Sequence, residues 1–193
     1  MNSVAIILAS RSPRRQELLR QMGVEEFVII ESQADETVEE NLPPEQMVRR
    51  LAARKADAVF HKAKPGDIVI AADTIVTLEG AILGKPKDKL DAFQMLSLLS
   101  GTRHQVYTGL AVYQDDTRIV EHECTSVYFR EISGKEIEGY LATGEPMDKA
   151  GGYGIQGRGG LFVERIDGDY FNVVGLPICR LGRILTGLDV KLL

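Results

Sequence analysis

Cysteine is scarce in this chain: Cys124 and Cys179 are the only two, far apart and in no CxxC pair. That usage reads as reduced thiols in a cytosolic protein and excludes a disulfide-stapled scaffold. Histidine is also scarce, three residues with no HxxxH spacing, which argues against a zinc site. Long apolar runs are missing. The first, Val4 to Leu8, is too short for the apolar core of a signal peptide or for a membrane span. Net positive charge is missing too: the formal charge is −5, which argues against non-specific nucleic-acid binding. It does not exclude a small anionic ligand, because a local basic site can sit in an acidic protein. Internal repeats, low-complexity segments, a Walker A loop and a dinucleotide fingerprint are all absent. What is present is 193 residues, 44% hydrophobic and 26% charged, the profile of one globular domain, or of one domain with a small lobe.

The stretch Leu8-Ala9-Ser10-Arg11-Ser12-Pro13-Arg14-Arg15 organises the rest. Val4 to Leu8 reads as a buried strand. A helix then opens, with Ser12 as N-cap, Pro13 at the first helical position and Gly23 as the stop. Leu18, Leu19 and Met22 fall on one face. Its charge is odd. Arg14 and Arg15 stand in the first turn, where the helix dipole disfavours cations by roughly 0.3–1 kcal/mol each. A bound anion reverses that sign, drawing on backbone N–H groups, the Ser10 and Ser12 hydroxyls and two guanidinium groups. The competing reading is two solvated arginines at a helix start.

Phe27 to Glu31 reads as a second strand and Ser32 to Leu42 as an acidic loop. Within it Asp35 and Glu36 are either solvated carboxylates or, if the loop covers a phosphate site, holders of a divalent cation. Pro43-Pro44-Glu45 starts a helix to about Lys64. Lys55 falls in the middle of its apolar arc, so it must snorkel or meet an anion. Asp67 to Leu78 reads as a β element interrupted at Ala71-Ala72-Asp73-Thr74. An ionised aspartate between two buried segments is expensive unless paired or bound to metal, which makes Asp73 the best catalytic candidate. A turn-capping Asp73 is the competing reading. Lys85, between Gly84 and Pro86, is a cation on a rigid loop: a phosphate contact or a surface lysine.

Further on, the pattern predicts a helix over Asp88 to Leu99 and a hairpin of Gln105–Tyr113 and Ile119–Phe129 turning near Asp115-Asp116. A helix over Ser133 to Thr143 follows. His104 reads as a strand-start residue and not as a general base. Glu145 to Gly160 is the most glycine-rich part. Linkers rarely carry Tyr153 and Ile155 amid the glycines, so it reads as an ordered binding loop. Gln156 there offers an amide donor and acceptor to a base edge. Strands over Leu161–Ile166 and Phe171–Val174 and a helix from Pro177 to about Leu188 complete the chain. The mixture without a strict βαβ rhythm predicts an α/β fold with a mixed sheet.

Taken together, Leu8-Ala-Ser-Arg-Ser-Pro-Arg-Arg15, Ala72-Asp73-Thr74, Gly84-Lys85-Pro86, Ser100-Gly101, the Glu145-to-Gly157 loop and Val174-Gly175-Leu176-Pro177 resemble the Maf family of nucleoside triphosphate pyrophosphatases. The motifs occur in that family's order over nearly the whole chain. The resemblance implies one Maf-like domain over 1–193. It implies an elongated, twisted mixed sheet flanked by helices, with two lobes around a cleft, like the inosine triphosphate pyrophosphatases. It also implies hydrolysis of a nucleoside triphosphate to monophosphate and pyrophosphate with Mg²⁺ or Mn²⁺, in the cytoplasm, by a chain that is often a homodimer. Neither nucleic acid nor membrane is an expected partner. Asp148-Lys149-Ala150-Gly151 followed by Tyr153-Gly154-Ile155-Gln156-Gly157 resembles the branch acting on dTTP and UTP. In that branch the positions of Arg14, Thr74 and Gln156 go with substrate choice, and that of Asp73 with proton acceptance.

The expected site is therefore Asp73 as base and metal ligand, Glu36 as a weaker second ligand, and Ser10, Arg14, Arg15, Lys55, Thr74, Lys85 and Gln156 as substrate contacts. Two alternatives stay open. One is the same chemistry on 7-methyl-GTP. The other is a nucleotide-binding regulator of septum formation, which predicts binding without turnover.

Overall fold

The mostly apolar stretch Ile68–Leu78 becomes an interior strand of the sheet. The computed structural model describes residues 4–34 and 42–193. In chain order it runs β1 (Ile6–Leu8), α1 (Pro13–Gln21), β2 (Val28–Ile29), α2 (Pro44–Phe60), β3 (Ile68–Leu78), β4 (Ala81–Leu83) and α3 (Lys89–Leu99). Then come β5 (Arg103–Gln114), β6 (Thr117–Phe129), α4 (Gly134–Leu141), β7 (Val163–Asp167), α5 (Tyr170–Val174) and α6 (Ile178–Gly187). Three short 3₁₀ turns, Glu145–Asp148, Ala150–Gly152 and Arg158–Phe162, lie between α4 and β7. The strands form one sheet in the order β2-β1-β3-β5-β6-β7, with β4 paired to β3. It is mixed: β1 pairs parallel to β2 and β3, whereas β3–β4 and β6–β7 are antiparallel. The expected mixed α/β sheet is thus what the chain forms.

By compactness the chain divides into two units. The first takes in the chain to Asp73, Thr108–Glu123 and Gly175–Leu193. Its core sets Ala52, Ala56 and Val59 of α2 on Ile7 of β1, Val69 and Ala71 of β3 and Ala111 of β5. The small residues let helix and sheet approach closely, and Gly109 marks the tightest point: a Cβ there would lie 2.0 Å from the Val48 carbonyl oxygen. The second unit is Thr74–Tyr107 with Cys124–Val174. Its core joins Leu96 and Leu99 of α3, Ile137 and Tyr140 of α4, Phe129, Tyr153 and Phe162. Burying a leucine such as Leu96 stabilises by about 1.5–3 kcal/mol.

Several local expectations hold. Gly23 closes α1 with φ +87°, donating to Arg20 O while Val24 N–H reaches Leu19 O, the paired bonds of a Schellman stop. α4 begins with a full capping box between Ser133 and Glu136. β5 and β6 are neighbours meeting at Asp115-Asp116.

Others need correction. β3 is continuous through Ala71–Thr74, because Asp73 meets a cation and its charge no longer requires a break. α2 ends at Phe60 and not near Lys64, since the Lys64 N–H is taken by the Asp67 carboxylate (2.9 Å). Leu161 and Phe162 belong to a 3₁₀ turn, so β7 starts at Val163. Phe171–Val174 is helical, not a strand. Asp169 Oδ1 accepts from Phe171 N–H (2.8 Å) and starts the turn, while the Asn172 amide is buried on Val106 O (3.0 Å) and Thr125 Oγ1 (2.9 Å). Ser12 is the N-cap residue of α1, but its side chain makes no capping bond.

Candidate active site

Asp73 sits two residues beyond Ala71 on the same face of β3, the face covered by α2. On α2, Lys55 is buried with Ala52, Ala56 and Val59. A buried ammonium needs a partner, and it has one: Lys55 Nζ donates to Asp73 Oδ1, with 11% and 13% of the two side chains exposed. The lysine that pattern alone made odd therefore fixes the direction of the aspartate carboxylate, leaving Asp73 at the edge of solvent.

The parallel register brings the first motif to the same end. Leu8 pairs with Ile70, and Ala9 N–H donates to Ile70 O (2.8 Å). Ser10, just past the carboxyl end of β1, where α/β folds gather their ligands, thus lies alongside the part of β3 that carries Asp73. Ser10 is buried, and its Oγ accepts from Ser12 N–H (3.2 Å) and from Arg15 Nη1 (3.3 Å). Arg15 Nε donates to the Gly175 carbonyl (2.8 Å), so the chain before α6 aims this guanidinium. Arg14 is half-buried beside it. The first turn of α1 carries no acidic residue and no side-chain cap, which leaves its amides suited to an anion.

In the second unit Thr74 follows in β3, half-buried, and Lys85 and Gln156 are exposed. The Lys85 loop rests on the glycine-rich segment: Gly151 N–H donates to Gly84 O (3.0 Å), and Gly151 adopts φ +69°. Gln156 stands in a turn closed by Gly157 N–H to Gly154 O (3.2 Å). The segment is ordered around Glu145, which sequence reasoning passed over. Glu145 Oε1 accepts from the Tyr140 hydroxyl (2.9 Å) and Gly159 N–H (3.3 Å), and Oε2 accepts from Arg158 N–H (3.0 Å). Burial works to raise this carboxyl, but the bonds from Arg158, Tyr140 and Gly159 outweigh it and hold it below the ordinary value. The available signal was the glycine spacing itself: a Cβ at Gly157 would lie 2.3 Å from Glu145 Oε1.

His104 stands at the start of a strand, as expected. It lies in β5, buried, with Nε2 2.7 Å from the Tyr153 hydroxyl and its ring edge-on to Phe129 at 4.8 Å. Burial pushes it down to about 4, so it is neutral and structural, in keeping with its exclusion as a general base.

Among the described residues no three of His, Cys, Asp and Glu are grouped to hold a metal ion. Glu36, the expected second ligand, lies outside the described residues. A lone Asp73 fits Mg²⁺ or Mn²⁺ of the kind held by one carboxylate, water and the phosphates of a substrate.

Fold and motif geometry define an α/β protein with an anion-ready helix start beside a lysine-paired aspartate. The chain belongs to the Maf-like protein family, whose pattern it matches over residues 5–188. The dTTP/UTP pyrophosphatase of Symbiobacterium thermophilum is 52% identical over 181 residues, 94% of this chain and 92% of that one. The dTTP/UTP pyrophosphatase of Bacillus anthracis is 51% identical over 185 residues, 96% of each. Among solved structures, the Staphylococcus aureus Ham1 protein is a looser match, with 19% identity, TM-score 0.45, and 65% of this chain and 71% of that chain covered.

Proposed function

We infer that this chain is a nucleoside triphosphate pyrophosphatase that hydrolyses dTTP and UTP to the monophosphate and pyrophosphate. Near-full-length relatives at about half identity carry that name, and the Asp73–Lys55 pair is the observation in this molecule that carries the chemistry.

In this reading Asp73 takes a proton from the water that attacks the α-phosphorus. The new bond joins the water oxygen to the α-phosphorus; the bond to the α–β bridging oxygen breaks, and pyrophosphate leaves with that oxygen. Lys55, by its bond to Oδ1, holds the Asp73 carboxylate in place. Ser10, Arg14, Arg15 and the α1 amides bind phosphate oxygens, and Lys85 adds a further cation. Thr74 and Gln156 contact the nucleoside, Gln156 at the pyrimidine edge. A divalent cation, with Asp73 as its ligand, would supply charge neutralisation on the phosphates. A cytoplasmic setting goes with two cysteines that remain thiols and with the lack, among the described residues, of a helix long and apolar enough to cross a membrane.

The test is a panel of dTTP, UTP, CTP, GTP and 7-methyl-GTP with Mg²⁺ or Mn²⁺, separating monophosphate plus pyrophosphate from diphosphate plus phosphate. Monophosphate and pyrophosphate from dTTP and UTP support the reading. Turnover of 7-methyl-GTP alone overturns the substrate, and binding without turnover overturns the activity.

A further inference from the structure

The turn that presents Gln156 is wrapped around a carboxylate. Tyr140 Oη accepts from Gly154 N–H (3.2 Å) on one side of Gln156 and donates to Glu145 Oε1 (2.9 Å). On the other side, Arg158 and Gly159 donate their N–H groups to the same carboxylate (3.0 and 3.3 Å). Both arms of the turn thus end on one Glu145–Tyr140 unit. Gly157 leaves no room for a side chain against that carboxylate, and a Cβ at Gly159 would lie 2.7 Å from the Tyr140 hydroxyl. Glu145 is itself tied at its backbone, its N–H donating to Thr143 Oγ1 (3.1 Å) and its carbonyl accepting from Lys149 Nζ (2.6 Å). The Tyr140 ring is anchored edge-on to Phe162 at 5.1 Å.

A uracil or thymine edge offers an acceptor at O4 beside a donor at N3–H, and cytosine offers the reverse. A glutamine amide can face either edge; what the turn fixes is the distance and direction from which Gln156 reaches the base, and so how well the amide meets one edge over the other. We propose that Glu145 and Tyr140 are positioning residues for base selection, acting through the Gln156 turn. This rests on the reading that Gln156 contacts the base.

The experiment measures kcat and KM of the full chain for UTP, dTTP and CTP in Tyr140→Phe, Glu145→Gln, Gln156→Ala and the Tyr140→Phe/Gln156→Ala double variant, with thermal melting alongside. Tyr140→Phe keeps the ring and its packing, so it carries the test if Glu145→Gln fails to fold. The expected result is a KM for UTP raised on the order of tenfold in Tyr140→Phe, with kcat moved far less and UTP-over-CTP preference reduced by a similar factor. Gln156→Ala gives the same signature, and the double variant is no worse than Gln156→Ala alone. A merely structural role lowers the melting temperature and leaves preference intact; that result, with Gln156→Ala still altering preference, overturns the proposal. If Gln156→Ala itself leaves KM and preference unchanged, the assignment of Gln156 to the base fails and takes the proposal with it.

Discussion

Lys55 and Asp73 illustrate what one residue pair asks of the chain. The oddity of Lys55 is legible in the sequence, because a lysine at the centre of an apolar arc needs an explanation. Its partner is not legible, because the two are joined by helix-on-sheet packing and not by spacing. Removing the cation leaves a nearly buried carboxylate without compensation. Lys55→Met is therefore expected to cost stability on the order of 3 kcal/mol, measured by denaturant unfolding. Adding Asp73→Asn to it should restore part of that loss. Asp73→Asn alone keeps the geometry but removes the base, and turnover should fall by roughly 10²-fold or more with the far-UV spectrum unchanged. Near-normal turnover in that variant contradicts the role given to Asp73. His104 makes a different demand. Its folded pKa, about 4, lies below the ordinary 6.5, so the unfolded chain binds a proton first as pH falls. The stability it contributes is complete above about pH 6.5, declines as pH falls and is lost below about 4, at most about 3 kcal/mol in all. A His104→Gln variant should show a flatter stability profile across that window.

Elements were legible where local chemistry decides them. Pro13 and Gly23 bound α1, Asp88 and Ser133 start α3 and α4, and the β5–β6 hairpin turns at Asp115-Asp116. They were misread where a distant side chain decides. β3 runs through Asp73 because Lys55 arrives from α2, and α5 forms because Asn172 finds buried acceptors on β5 and β6. The glycine-rich segment could be read as ordered, but its organiser, Glu145, looks in the sequence like any loop carboxylate. Close packing of α2 on β5 is likewise invisible there, because a glycine in a strand has several explanations. Gly109→Ala places a methyl group against the Val48 carbonyl, so one backbone must move. The expected cost is about 1–3 kcal/mol or more, seen as a lowered denaturation midpoint. A melting curve equal to that of the parent would show that α2 lies further from β5 than described.

For the molecule as a whole, the acidic balance and the local cations belong to one account. A chain of net charge −5 repels a triphosphate at long range, so in the proposed reading local cations such as Arg14 and Arg15 and a divalent cation on the phosphates would have to offset that repulsion. The relatives' shared name and the family match give the reaction its substrate class; in the proposed reading the Asp73–Lys55 pair and the α1 amides supply its chemical basis. The central claim is that water attacks the α-phosphorus, and hydrolysis of UTP in ¹⁸O-labelled water tests it most directly. The account predicts one labelled oxygen in UMP and none in pyrophosphate. Label in pyrophosphate, or UDP and phosphate as the products, would contradict it.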